Sequence, residues 1–303
     1  MAETTGIAWT DSTWNPWIGC TKYGPGCDNC YAEALMDKRW RRVQWGKGKP
    51  RQKTSAANWQ APLRWEKHHE AFALAHGRRR RVFCASLADV FDNEAPRAWR
   101  RELFELIEAT PHLDWLLLTK RIGNVPAMLK HDGDREALPA NVWLGATMVN
   151  QAEYDRDVPK LAAVGASVRF LSVEPMLGPI RGGLALRGLD WVIVGGESGA
   201  KARPIQREWI QSLRAECAAA GVAFFFKQWG GPSATAGGCC LDGSEAKEWP
   251  KHNPQDGAKL RQFRLLVAQG ATEETEHEAE AAMAMQDMEE IILRRLAHLP
   301  LVG

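Results

Sequence analysis

No stretch of about 18 consecutive apolar residues occurs in this sequence, which argues against a membrane-spanning helix. The start, Met1-Ala2-Glu3-Thr4-Thr5, lacks the basic-then-apolar form of a secretory signal. Cysteine is scarce and odd in number, seven in 303 residues, so a secreted disulfide framework is not indicated. Together these absences point to a cytoplasmic protein without a membrane partner. Neither sign of charge dominates: the net is +2, so the distribution of charge matters more than its total. Tyrosine is rare, three residues against fourteen tryptophans, an excess for which composition alone gives no reason. No internal repeat exists beyond a strand–helix rhythm.

That rhythm begins after residue 80. Short, nearly all-apolar runs at 82–87, 115–118, 142–146, 169–173, 191–194 and 222–226 each end on a polar residue. Helical patterns stand between them, notably at 96–109, 153–163 and 208–220. Strands buried on both faces and alternating with helices are the mark of a parallel sheet covered by helices. Ile7-Ala8-Trp9 reads as an additional first strand, and residues 31–42 as a helix ending in cations, which suit a helix C-terminus. The expectation is an α/β fold, a partial or complete (β/α) barrel, with a doubly wound open sheet as the competing form. Residues 1–230 read as the barrel-like unit. Residues 231–303 read as an irregular segment followed by an acidic helix, 272–298, packed on it.

Functional groups in parallel α/β folds gather at the C-terminal ends of strands. Here those ends carry Ser86 and Asp89, Thr119 and Lys120, Thr147, Glu174, Glu197, and Lys227 with Gln228. Over the same mouth the first strand would deliver Cys20, Cys27 and Cys30, spaced C-x6-C-x2-C around the turn Gly24-Pro25-Gly26. Three thiols on one curled loop suit a metal centre. A structural zinc needs four ligands, usually in two close pairs, and no second C-x2-C or H-x3-H exists here. Zinc held with a distant histidine is one reading. The other is an iron–sulfur cluster held by three thiolates, with one iron left open to a small-molecule ligand.

Three clustered cysteines followed by a βα series resemble the radical S-adenosylmethionine enzymes. Cys27-Asp28-Asn29-Cys30-Tyr31 is similar to the cluster loop of their spore photoproduct lyase branch. Trp14-Asn15-Pro16, the loop 19–31, Leu118-Thr119-Lys120-Arg121, Ser172-Val173-Glu174-Pro175 and Gly195-Gly196-Glu197-Ser198-Gly199 resemble a three-cysteine family of phages and bacteria, largely without assigned function. The resemblance covers most of residues 7–230. It implies a barrel of the radical type, a [4Fe-4S] cluster on Cys20, Cys27 and Cys30, bound S-adenosylmethionine and a one-electron reductant protein as partner. It further implies that a radical cleaved from the cofactor takes a hydrogen atom from the substrate. Ser86, Asp89, Glu174 and Glu197 are then the candidates for holding the cofactor, with Glu174 or Glu197 at its amine or ribose. Lys120 and Lys227, with Arg121, would meet a carboxylate or phosphate. The usual first cysteine gap in the radical S-adenosylmethionine family is three residues, against six here. Its Gly-Gly-Glu motif follows the second strand, whereas Gly195-Gly196-Glu197 closes a much later one, so that role is not carried over.

A basic stretch follows the cysteine helix. Arg39, Arg42, Lys47, Lys49 and Arg51 lie there with Trp40 and Trp45 interleaved, and Arg78 to Arg81 add four consecutive arginines. Cations bind phosphates and aromatics stack on unpaired bases, so nucleic acid is the expected partner; a solvated basic surface is the plainer alternative. The leading expectation is a radical enzyme modifying or repairing a nucleic-acid base. A zinc-stabilised nucleic-acid-binding barrel without catalysis competes with it, as does radical chemistry on a peptide or small metabolite.

Overall fold

The computed structural model describes residues 3–133, 135 and 137–251. Seven parallel strands form one sheet: β1 (Ser12–Thr13), β2 (Arg80–Cys84), β3 (Leu113–Thr119), β4 (Val142–Thr147), β5 (Val168–Val173), β6 (Trp191–Gly195) and β7 (Ala223–Gln228). They lie side by side in chain order, and the sheet curls into a half-barrel whose edges, β1 and β7, do not meet. The partial barrel is therefore the form adopted. A doubly wound sheet would reverse its strand order, and this one does not.

The first strand is a correction. Ser12 and Thr13 pair with Val82 and Phe83, whereas Ile7-Ala8-Trp9 precedes the sheet. Both strand residues are polar yet buried, so the apolar pattern began five residues too early. Between β1 and β2 runs a long excursion. It holds the cysteine loop, α1 (Tyr31–Glu33) continuing as a π-helical turn to Arg39, and three short helices, α2 (Ala56–Trp59), α3 (Ala61–Lys67) and α4 (His69–His76). Four longer helices follow the later strands: α5 (Arg97–Glu108), α6 (Val125–Gly133), α7 (Gln151–Ala163) and α8 (Arg207–Ala219). The acidic segment expected to be helical at 272–298 lies outside the described residues.

Alternation along each strand sorts the core into two layers. Val82, Leu117, Leu144, Leu171, Val192 and Phe224 face outward against Leu103, Phe104, Val158, Ile210 and Leu213 of the helices. Phe83, Leu116, Trp143, Phe170, Trp191, Ile193 and Phe225 face inward, joined by Trp9. An incomplete barrel leaves a wide interior, and large rings fill it. Trp191 meets Phe170 at 5.8 Å, Phe225 at 5.8 Å and Trp249 at 4.9 Å between ring centroids, and Trp9 meets Phe83 at 4.6 Å. Gly145 is required where it stands, because a Cβ there would lie 2.2 Å from the Phe170 ring. This inner layer accounts for part of the tryptophan excess.

Residues 246–248 run antiparallel along β7, with Phe226 N–H donating to the Ala246 carbonyl at 2.7 Å and Glu248 N–H to Phe224 at 2.9 Å. They cover an otherwise open sheet edge and deliver Trp249 to the interior. Among the described residues no helix is long and apolar enough to cross a membrane.

Candidate functional site

Strand parity sets the floor of the site. Two residues beyond the inward-facing ring layer, the same face carries Leu118, Gly145, Ser172, Gly195 and Lys227; two further on it carries Lys120, Thr147, Glu174 and Glu197. A polar tier thus sits directly over an apolar one at the C-terminal mouth. Glu174 is its centre: Oε1 is 2.8 Å from Lys227 Nζ, and Oε2 accepts from Trp9 Nε1 and Ser172 Oγ, each at 3.2 Å. A Cβ on Gly195 would lie 2.9 Å from this carboxylate, and one on Gly196 would lie 1.9 Å from the Trp229 carbonyl. The glycine pair before Glu197 is explained by this close packing.

The cysteine loop spans the mouth and is fastened to four strand ends. Trp14-Asn15-Pro16 begins the attachment. Buried Asn15 donates to Ser86 Oγ at 3.0 Å and accepts from the Leu87 N–H at 2.7 Å. Gly19 N–H then donates to the Leu87 carbonyl at 3.1 Å, holding the loop to the segment after β2. At the end of β3, Arg121 donates to Asp89 at 2.9 Å, to the Thr21 carbonyl at 2.5 Å and towards Cys20 Sγ at 3.6 Å. At the end of β4, the loop is so close that a Cβ on Gly26 would lie 2.7 Å from Val149, and one on Gly24 2.6 Å from Glu153. At the end of β6, Glu197 takes the Asn29 amide at 2.9 Å and the Arg203 guanidinium at 2.6 and 2.8 Å. Arg203 also reaches the Pro25 carbonyl and Asp28.

The three cysteines are free thiols. Cys27 is buried in the turn Pro25–Cys27, and Cys30 caps the start of α1. Burial and the neighbouring Asp89 push the Cys20 thiol up to about 12, with Arg121 pulling against them. Cys30 is raised by burial, opposed by the N–H groups of Glu33 and Ala32 and by Lys120. Such thiols keep their protons unless a metal takes the proton's place. Tyr31, next in the chain, donates to the Ser86 carbonyl at 2.5 Å and lies close enough to Cys30 and Glu174 to feel their charge.

The expected site residues divide by what they touch. Cys20, Cys27, Cys30, Ser86, Asp89, Lys120, Glu174, Glu197 and Lys227 come together at one mouth. Both Asp89 oxygens are engaged, by Thr119, Arg121 and two peptide N–H groups. The Glu197 carboxylate is likewise taken, and lowered: burial raises it, but Arg203 and Asn29 more than offset this. Lys120 has no carboxylate partner among the described residues; its side chain lies beside Gly26 and within reach of Cys30's charge. Arg39, Arg42, Lys47 and Lys49 are exposed, with Trp40 51% exposed among them.

Arg51 is a correction. Its guanidinium is fully buried and paired with Asp92 at 2.6 Å and Glu94 at 3.2 Å, so it cannot meet a phosphate. Arg78 to Arg81 are a second one. They open β2 at the opposite end of the sheet, bonded to Asp11 and Ser12 or stacked on Phe72, Trp143 and Trp249. Arg203 and Asn29 carried no sequence signal, because their partner Glu197 is reached only through the fold.

The molecule is thus an open parallel α/β half-barrel whose C-terminal mouth is crossed by a pinned, three-thiol loop. The chain belongs to the family described as protein of unknown function (DUF5131), whose model matches residues 4–281. No curated protein and no solved structure matches it.

Proposed function

We propose that this protein is an iron–sulfur, S-adenosylmethionine-dependent radical enzyme that modifies or repairs a nucleic-acid base. The observation that carries the reading is the three-thiol loop fastened across a polar mouth. Thiolates about 2.3 Å from a single zinc ion stand roughly 3.8 Å apart in a tetrahedron. Among the described residues, the set of ligand atoms lying within 4.8 Å of one another is Glu66, His69 and His112, and the three cysteines do not form such a set. Three thiolates without a fourth close ligand suit a polynuclear centre, in which each thiolate takes its own iron.

Cys20, Cys27 and Cys30 would hold three irons. A cluster held there would supply one-electron reduction of the sulfonium of S-adenosylmethionine, and through it hydrogen-atom abstraction from the substrate. Of the carboxylates, Glu174 is the best suited to an amine, since Asp89 and Glu197 already serve the loop. Lys120 supplies a cation for a carboxylate or phosphate, and Lys227 shares Glu174. The ring layer below excludes water from the floor. Arg39, Arg42, Lys47 and Lys49, with Trp40, form a basic aromatic surface just beyond α1 that suits an unpaired strand.

Anaerobic reconstitution with iron and sulfide tests the reading. Brown protein carrying about four irons and four sulfides, releasing 5′-deoxyadenosine under a strong reductant, is expected. Colourless protein with one zinc and no sulfide would replace this reading with that of a zinc-stabilised binding barrel.

A further inference from the structure

At the other end of the sheet, three side chains from separate parts of the chain meet. Glu66 lies near the end of α3, His69 opens α4, and His112 stands just before β3. One ligand atom from each lies within 4.8 Å of the other two. We propose that Glu66, His69 and His112 form a site for a single divalent transition-metal ion, independent of the cysteine loop.

Three details support it. His69 Nδ1 lies 2.8 Å from the Glu66 carbonyl. A carbonyl only accepts, so this nitrogen carries the proton and Nε2 keeps its lone pair. Metal-binding histidines are commonly held in this way, through a backbone carbonyl on the far nitrogen. Next, the Glu66 carboxylate is already oriented: the His112 N–H donates to Oε2 at 3.2 Å, and His112 Nδ1 lies 2.5 Å from Oε1. Finally, no lysine or arginine pairs with Glu66 among the described residues, and Glu66 and His69 are half-buried while the His112 side chain is 47% exposed at the rim.

Two imidazoles and one carboxylate match the ligand set of open zinc sites. Nitrogen donors select zinc, cobalt or nickel over magnesium and calcium. The two rings stack at 3.8 Å with 11° between their planes, beside the Glu66 carboxylate. Turning the His112 ring about its Cβ–Cγ bond would release Nδ1 from Glu66 Oε1 and bring both rings to one ion, the His112 N–H still orienting the carboxylate through Oε2. Filled, the site would tie the α3–α4 junction to the start of β3, anchoring the long excursion that carries the cysteine loop.

Cobalt(II) titration followed in the visible tests this. It is done on the Cys20→Ser, Cys27→Ser, Cys30→Ser protein, so that thiolates do not compete. One cobalt per chain is expected, with imidazole–carboxylate bands and no thiolate charge-transfer band. His69→Ala and His112→Ala should each weaken binding at least about tenfold. Unchanged affinity in both histidine variants, or no saturation at millimolar cobalt, overturns the site. Should the cysteine variant not fold, the difference in cobalt stoichiometry between the wild-type protein and His69→Ala/His112→Ala decides, one per chain supporting the site and none overturning it.

Discussion

The two ends of the half-barrel are both rich in charge, and they use it differently. At the N-terminal end, Arg78 is held bidentately by Asp11 at 2.5 and 2.7 Å. Arg79 faces Asp114, Arg80 lies over Phe72, and Arg81 stacks on Trp249 at 3.6 Å. Each cation of that run is held against a carboxylate or an aromatic ring. At the C-terminal mouth, Arg121 and Arg203 are matched too, but their partners are the loop and its anchors. Lys120 and the exposed Arg39, Arg42, Lys47 and Lys49 have no such partner among the described residues. The lesson is that a cation's pairing, more than its presence, separates architecture from recognition.

The comparison breaks most visibly at the thiols. Cys20→Ala, Cys27→Ala and Cys30→Ala should each abolish incorporation of sulfide-bearing iron, whereas Cys217→Ala, on the buried face of α8, should leave it intact; metal and sulfide analysis reads this. Arg121→Gln comes next. It leaves Asp89 buried and short of its cation, so stability in urea should fall by about 3 kcal/mol, with little recovery in Arg121→Lys because an ammonium lacks the guanidinium fork. Arg39→Gln, at an unpaired position, should change stability by less than about 0.5 kcal/mol.

Asp114 sharpens the contrast at the other end. Burial raises it to about 6, against the pull of Arg79, Arg81 and Arg78. Its folded pKa lies above the unfolded value of about 3.9. The folded state therefore holds the proton more tightly, and stability falls as pH rises between those values. Asp114→Asn removes this loss, so the variant's stability relative to the wild type should rise by about 2 kcal/mol from pH 4 to pH 7. Taking the difference removes most of the contribution of Asp11, which burial raises but Arg78 and Arg81 lower on balance, and which acts with the opposite sign.

Two smaller effects complete the series. Lys120→Met should leave stability within about 0.5 kcal/mol while weakening S-adenosylmethionine binding about tenfold, read by equilibrium dialysis on reconstituted protein. Replacing Arg39, Arg42, Lys47 and Lys49 by alanine should reduce the salt slope of single-strand binding by up to about 0.7 for each phosphate no longer neutralised. An unchanged slope would remove that surface from the binding site.

Much of this was legible in advance. Six of the seven strands follow apolar runs whose residues all seek burial, and that pattern is local. The cysteine spacing and the polar residue at each strand end are local as well. The half-barrel's first strand was not legible, because Ser12 and Thr13 are buried by pairing with Val82 and Phe83 rather than by their own hydrophobicity. Helices α2 to α4 are short and get their order from packing.

Sequence by itself determined where six of the seven strands run, that their ends are polar and that three thiols precede those six. Only the tertiary structure decided which charges are matched. Arg51 looked like part of the basic stretch until Asp92 closed on it, 41 residues away. Glu197 looked like a ligand-binding end until Asn29, 168 residues earlier, and Arg203 were found on it. Periodicity is set by neighbours along the chain. Charge pairing is set by contacts across the fold, where desolvation makes an unmatched ion costly and so forces each buried charge to find its partner.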